Sequence, residues 1–247
     1  MQVIPDHENS RLKQLASKTS LSKDLDSTLY EALLERRRSG EPLQYIEEEM
    51  SFYDIHIDVN KHVLIPRPET EFFVETIIDK VEEPKKIVDI GTGSGCIGLS
   101  LAKYFNNAEV HLTDISLEAL NVAEKNSNKN EIDVRIYKSN LLKEVRNNDF
   151  DLIVGNLPYI PSNELQELPI EVLNYEPLLA LDGGKDGLDL IAKLVKEANN
   201  KLTNNGLLAL EIDSRFGNKV KKLAKDYTKV EIVNDLTGRD RYVFATK

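Results

Sequence analysis

The 247-residue sequence predicts an α/β fold: a doubly wound, mainly parallel sheet of seven strands that ends in an antiparallel hairpin, preceded by short helices and a small β-hairpin. Three observations lead there. From residue 85 onward, strand-length and helix-length segments alternate, and continuous apolar runs such as Ile87-Val88 and Leu152-Ile153-Val154 suit strands buried on both faces of a parallel sheet. Asp89-Ile90-Gly91-Thr92-Gly93-Ser94-Gly95 is a glycine turn that closes the first of these strands and opens a helix. The last two strands are joined only by Asn234–Gly238, too short for a parallel crossover, so they pair antiparallel.

The elements come in this order. Two short helices open the chain. The second runs from about Ser22, a candidate N-cap, to Arg38, with Leu25, Leu29, Ala32 and Leu33 on one face; Gly40 and Pro42 stop it. Helices this short must dock on something to bury that face. Ile55, Ile57 and Val59 alternate with His56 and Asp58, which predicts a half-buried strand, and residues 60–62 turn it into a second strand at Val63–Ile65. Pro66 and Pro68 end that hairpin, and a helix begins near Thr70, with Phe73, Ile77 and Val81 in helical spacing. Strands are expected at Lys85–Ile90, Glu109–Thr113, Asp133–Tyr137, Asp151–Gly155, Gly206–Ile212, Val230–Val233 and Tyr242–Thr246. Helices are expected at about 95–104, 117–129, 187–202 and 216–226. The expected division is a helical N-terminal domain over 1–44, a β-hairpin linker over 45–66 and the α/β domain over 67–247.

Composition narrows the function. The chain is long enough for one full-sized α/β domain with an appendage, and too short for two large ones. No apolar run approaches membrane-spanning length, and Met1 to Asn9 lacks the pattern of a signal peptide. A cytoplasmic location is the default expectation. Cys96 is the single cysteine, so no intrachain disulfide forms. Asp and Glu number 42 against 32 Lys and Arg, a net charge of −10, and residues 1–83 alone carry 18 acidic and 10 basic side chains. A protein that tracks a phosphate backbone shows a basic face, so nucleic acid is disfavoured as a partner. The one basic run, Arg36-Arg37-Arg38, suits a helix C-terminus. His7, His56, His62 and His111 show no metal-ligand spacing.

The glycine turn lies at the carboxyl end of a strand, where ligands bind in open α/β sheets. Taken alone it admits two cofactors, since Gly93-Ser94-Gly95-Cys96-Ile97-Gly98 also spells the dinucleotide pattern. Either cofactor calls for an acid at the end of the next strand to hold ribose hydroxyls, and Asp114 stands nineteen residues after Gly95. Cys96 opens the following helix and is read as a small buried side chain.

Asn156-Leu157-Pro158-Tyr159 separates the two readings, because it follows the buried run that ends at Gly155 and so lies on the ligand side of the sheet. Asn156 brings a carbonyl acceptor on a short arm. Pro158 donates no N–H and stiffens the turn, leaving backbone carbonyls free to face the pocket. Tyr159 brings a flat face. Two acceptors and a ring suit a planar group bearing NH2, for which nicotinamide chemistry has no use. The chemistry that fits is methyl transfer from S-adenosylmethionine to a nitrogen. That nitrogen must be aligned, and the acceptors favour the positive charge that builds on it.

At this level of detail the chain resembles the protein-(glutamine-N(5)) methyltransferases that modify peptide chain release factors. The resemblance runs from Gly40 to the C-terminus through Gly40-Glu41-Pro42-Leu43-Gln44-Tyr45-Ile46, Val63-Leu64-Ile65-Pro66-Arg67-Pro68-Glu69-Thr70-Glu71, Asp89 to Ile97, and Asn156 to Ile160. It continues through Tyr175 to Leu181 and Asp182-Gly183-Gly184-Lys185-Asp186-Gly187-Leu188. It implies a Rossmann-like seven-stranded methyltransferase sheet as the catalytic domain, with a helical N-terminal domain that helps hold the release factor. It also implies S-adenosylmethionine as cofactor, with Gly91, Thr92, Gly93, Ser94, Gly95, Asp114, Leu141 and Asn156 lining its site. Asn156, Leu157, Pro158 and Tyr159 would grip the glutamine of the factor's Gly-Gly-Gln loop. Glutamine in a ribosomal protein and adenine in nucleic acid are the alternative acceptors. Three departures stand out: Leu157 where the family usually has proline, Asn140-Leu141 where it often has an acid and an aromatic, and a shorter N-terminal helical region.

Overall fold

A computed structural model describes residues 4–19 and 23–247. Helices α1 (Asp6–Thr19), α2 (Lys23–Arg38) and α3 (Leu43–Glu47) come first. The expected cap at Ser22 lies outside the described residues. Leu33 and Leu34 of α2 meet Leu12 and Ala16 of α1 and Leu43 and Ile46 of α3 in a small cluster of their own. Ala32, assigned from the sequence to the buried face, is exposed: the buried stripe is set by Leu33, Leu34 and Arg37. Gly40 ends α2 at φ +94°, its N–H donating to the Arg37 carbonyl at 3.0 Å.

The hairpin differs from expectation. Strand β1 (Glu49–Phe52) pairs antiparallel with β2 (Ile55–Asp58), Glu49 opposite Asp58 and Phe52 opposite Ile55. The predicted partner at Val63–Ile65 is not a strand. Val63 and Ile65 are buried, but Val63 finds its backbone partners without a second strand: its N–H donates to the Asn60 carbonyl at 3.1 Å and its carbonyl accepts from Tyr45 Oη at 2.6 Å. The acidic run Glu47-Glu48-Glu49 concealed β1.

Then come α4 (Pro68–Lys80), β3 (Lys86–Ile90), α5 (Cys96–Tyr104), β4 (Glu109–Asp114), α6 (Leu117–Lys129), β5 (Arg135–Lys138) and β6 (Phe150–Gly155). A short α7 (Ile170–Tyr175), not anticipated, precedes α8 (Asp189–Asn199), β7 (Leu202–Glu211), α9 (Gly217–Leu223), β8 (Lys229–Asn234) and β9 (Asp240–Thr246). The expected helices 187–202 and 216–226 are thus shorter, and β7 begins four residues before Gly206. The seven-stranded sheet runs β5-β4-β3-β6-β7-β9-β8, parallel as far as β7 and antiparallel at β9 and β8.

Alternation along the strands feeds two cores. Ile87 of β3 and Leu152 and Val154 of β6 meet α4, α5, α6 and the hairpin's Phe52, Ile55 and Ile57. Val88 and Ile90 of β3 and Ile153 of β6 meet α8 and α9 on the other face. Buried Asn126 of α6 ties the hairpin to the glycine turn, accepting from Asp58 N at 2.6 Å and donating to the Asp58 and Ser94 carbonyls at 3.0 and 2.8 Å. No helix among the described residues is long and apolar enough to cross a membrane. On the α4 face, Phe73 stacks on Tyr242 with ring centroids 5.2 Å apart, both side chains fully buried. Phe73→Ala is expected to destabilise the fold by about 3–5 kcal/mol, measured by urea denaturation, because it removes an aromatic ring from a packed core.

Candidate active site

The parallel register assembles the site. Ile90 pairs with Thr113 on one side and Gly155 on the other, and Gly155 pairs with Leu210. The residues just beyond these strand ends therefore line up along one edge of the sheet: Leu141 after β5, Asp114 closing β4, the glycine turn after β3, Asn156 after β6 and Glu211 closing β7. The chain reverses direction across the sheet between β3 and β6, the place where open α/β sheets bind ligands.

The turn is held from below. Asp89 Oδ2 accepts from Thr92 Oγ1 at 2.6 Å and from Gly98 N at 3.0 Å. Burial pushes the Asp89 carboxyl up to about 7, against the pull of those two bonds. Gly91, Gly93 and Gly95 all take left-handed φ, at +68°, +55° and +84°. At Gly93 a Cβ would meet nothing within 4 Å, so the backbone there is bare towards open space. Gly93 N donates to Asp114 Oδ2 at 3.0 Å, and Ser116 N donates to Asp114 Oδ1 at 2.9 Å. Burial raises the Asp114 carboxyl, and each oxygen keeps a lone pair for a further donor.

A cavity of about 250 Å³ opens above this edge. Gly91, Thr92, Gly93, Ser94, Asp114, Leu141, Asn156, Leu157 and Pro158 line it, so the structure gathers most of the residues singled out from the sequence. Gly95 and Tyr159 do not line it: Gly95 caps α5, and Tyr159 packs beside the α8–α9 core. Ile90, Ile115 and Leu190 add apolar surface, and Pro66 and Thr70 arrive from the start of α4. Leu141 sits buried at φ +52°. The Leu157 side chain is buried as well and lies against Gly91, where a Cβ would come within 3.0 Å of it. The cavity fits a nucleoside-bearing sulfonium cofactor. It has a bare glycine backbone at its centre and an acid with spare lone pairs beside it. Ser94 Oγ is buried there with no hydrogen-bond partner among the described residues. Burial lifts the Cys96 thiol to about 12, which suits packing and not nucleophilic attack.

Two further residues, Thr70 and Glu211, join the site that sequence reasoning did not assign to it. Asn156 Nδ2 donates to Thr70 Oγ1 at 3.4 Å, and Thr70 Oγ1 donates to Glu211 Oε2 at 2.9 Å. Burial pushes the Glu211 carboxyl up to about 7, while Thr70, Arg241 and Asn156 pull it down. A charged residue closing the apolar run Leu207-Leu208-Ala209-Leu210 was the available signal for Glu211. Arg67 pairs with buried Glu176 and fastens the 160–180 segment beside the cavity. Behind Tyr159, Ile160 N donates to the Leu181 carbonyl at 3.1 Å and Gly183 N to the Ile160 carbonyl at 2.9 Å. The glycines of 182–188 press on this turn, with a Cβ at Gly187 falling 2.4 Å from the Tyr159 carbonyl oxygen.

The chain is similar to known proteins. The methyltransferase small domain family matches residues 68–171. The release factor glutamine methyltransferase of Moorella thermoacetica is 42% identical over 219 residues, spanning 86% of this chain and 77% of that protein. Its namesake in Flavobacterium psychrophilum is 38% identical over 246 residues, spanning 96% and 86%. Among solved structures, a methyltransferase from Pyrococcus furiosus superposes with a TM-score of 0.61 at 24% identity, covering 79% of this chain and 90% of that one, a likeness of fold.

Two glycines separate backbone strain from crowding. Gly238 lies in the β8–β9 turn at φ +84° with nothing within 4 Å of a Cβ; Gly187 lies at φ +71° against Tyr159. Gly238→Ala should cost about 1 kcal/mol in urea denaturation, the strain of a left-handed alanine. Gly187→Ala should cost about 2–4 kcal/mol, because a clash with the Tyr159 backbone adds to that strain.

Proposed function

The chain belongs to the release factor glutamine methyltransferase family, and from that premise we propose that its cavity holds S-adenosylmethionine across the glycine turn and delivers a methyl group to the side-chain amide nitrogen of the glutamine in a release factor's Gly-Gly-Gln loop. The observation that carries the reading is the pairing of Ile90 with Gly155, which sets the cofactor turn and Asn156-Leu157-Pro158-Tyr159 side by side. Gly91 to Ser94 would lie against the cofactor, Asp114 would take its ribose hydroxyls, and Leu141 and Ile115 would cover the faces of its purine ring. When bound, the cofactor supplies an activated methyl group on a sulfonium sulfur.

The chain's own work is to present the nitrogen. An amide nitrogen is a weak nucleophile because its lone pair is delocalised. Asn156 Oδ1 and the Leu157 carbonyl accept its two N–H bonds and turn that lone pair towards the methyl group. Both oxygens also favour the positive charge that grows on nitrogen as its bond to the methyl group forms, and that charge leaves as one of the two N–H protons once transfer is complete. Pro158 keeps a donor out of the turn. Tyr159, seated beside the α8–α9 core, gives the turn a rigid end. The deep, buried setting of Asp89 and Glu211 beneath these loops limits their movement, so alignment is built in before the acceptor arrives. The acidic surface suits a protein acceptor in a cytoplasmic enzyme better than it suits a nucleic acid.

Two measurements test the reading. Asp114→Ala is expected to weaken S-adenosylmethionine binding by about 1–3 kcal/mol in calorimetric titration, the loss of hydrogen bonds to a charged acceptor; unchanged affinity would remove Asp114 from the site. With labelled cofactor, a folded release factor and total RNA offered together, fragment mass spectrometry should place the label on the Gly-Gly-Gln glutamine and nowhere on a Gln→Ala factor. Label on adenine with none on protein refutes the assignment.

A further inference from the structure

We propose that Thr70 and Glu211 are positioning residues that fix which end of the Asn156 amide faces the acceptor, so that the site takes an amide NH2 and refuses a carboxylate. This deepens the reading above and rests on it.

The argument is one of hydrogen-bond direction. Glu211 closes β7 next to Leu210, the partner of Gly155, so the register brings its carboxylate up to Asn156. Thr70 is the third residue of α4, and both Thr70 and Glu211 are 2% exposed. Thr70 Oγ1 has one proton and gives it to Glu211 Oε2 at 2.9 Å. Having given that proton, Thr70 can only accept, and it accepts from Asn156 Nδ2 at 3.4 Å. Asn156 also favours the charged form of the Glu211 carboxylate. A flipped Asn156 would set its carbonyl oxygen against the lone pairs of Thr70 and the charge of Glu211. Oδ1 is therefore the end left for the cavity.

The other charged groups around Glu211 do not compete for this role. Arg241 is drawn towards the Ile212 carbonyl and Asp235, and Glu69 acts only at a distance, adding negative charge. A cavity that shows acceptors to its guest matches glutamine, whose amide carries two N–H bonds. Glutamate brings only acceptors at neutral pH, so oxygen would face oxygen. Sites built around a substrate N–H reject partners that lack it far more strongly than apolar pockets reject a wrong shape.

Thr70→Val and Thr70→Ser separate direction from packing, because valine keeps the shape without the hydroxyl and serine keeps the hydroxyl without the methyl. Turnover of a folded release factor is followed by intact mass, and cofactor affinity by calorimetry. T70V is expected to lose on the order of tenfold in kcat with cofactor Kd unchanged, and T70S to recover most of it, as befits loss of one oriented acceptor. A factor with glutamate in place of the acceptor glutamine should compete weakly against wild type and more strongly against T70V. Equal rates in T70V and wild type, serine worse than valine, or an unchanged ratio of competition overturns the proposal. Should T70V melt early or lose the cofactor, E211Q carries the test: its amide can donate to Thr70 and release the direction, so kcat should fall while cofactor affinity holds, and a wild-type kcat overturns the relay. Wild type that labels no glutamine overturns the substrate reading and the relay together; wild-type labelling with an unaffected T70V overturns the relay alone.

Discussion

Ile90, Gly155 and Leu210 stand abreast on three parallel strands, and that alignment fixes where the loop beyond each of them begins. A shift of one residue in any strand would turn its side chains to the opposite face and carry its loop away from its neighbours. The two cores hold the register in place. Ile87 and Val88 point to opposite faces, as do Leu152 and Ile153, and each pair is fully buried against different helices. The cofactor turn, the acceptor turn and the Glu211 carboxylate meet because burial on both faces leaves the strands one alignment.

The loops add their own fastening to this frame. Asp89 grips the cofactor turn through Thr92 and Gly98, and Asn126 grips it again through Ser94. The acceptor turn is backed by residues 181–187, whose glycines allow backbone to press on backbone behind Tyr159. Arg37, reaching Glu8 and Glu171, and Arg67, reaching Glu176, tie α2 and the start of α4 to the same 160–180 segment. The basic run that the sequence explains by the end of a helix thus also makes ion pairs across the chain.

Elements that bury continuous apolar runs were legible in the sequence, since such runs have few other places to go. All seven strands of the main sheet occur where the sequence places them, the short Asn234–Gly238 connection accounts for their antiparallel ending, and the two chemical motifs lie at strand ends. Two kinds of feature were hidden. One is structure satisfied by side chains: Val63 and Ile65 look like a strand because they alternate and are buried, yet Tyr45 takes the Val63 carbonyl that a partner strand would have paired. The other is chemistry spread over distant positions. Thr70 and Glu211 lie 141 residues apart, and only the β6–β7 register and the docking of α4 bring them together. Asn156 could be picked out by its motif, whereas the direction of its amide could not.

Asp89 and Glu211 show what this arrangement asks of stability. Both are wholly buried, and burial lifts each carboxyl to about 7 from ordinary values of 3.8 and 4.5. Between those limits the folded chain keeps protons that the unfolded chain has released. Stability from these two groups therefore falls as pH rises from about 4 to about 7, and is lowest once both are ionised above that range. Yet ionised Glu211 is the form that can only accept from Thr70, and so it fixes direction. A leucine in its place would relieve the burial of charge and leave the Asn156 amide free to turn. The fold accepts a less stable neutral-pH state at this point because an acceptor of fixed direction requires a buried charge to define it.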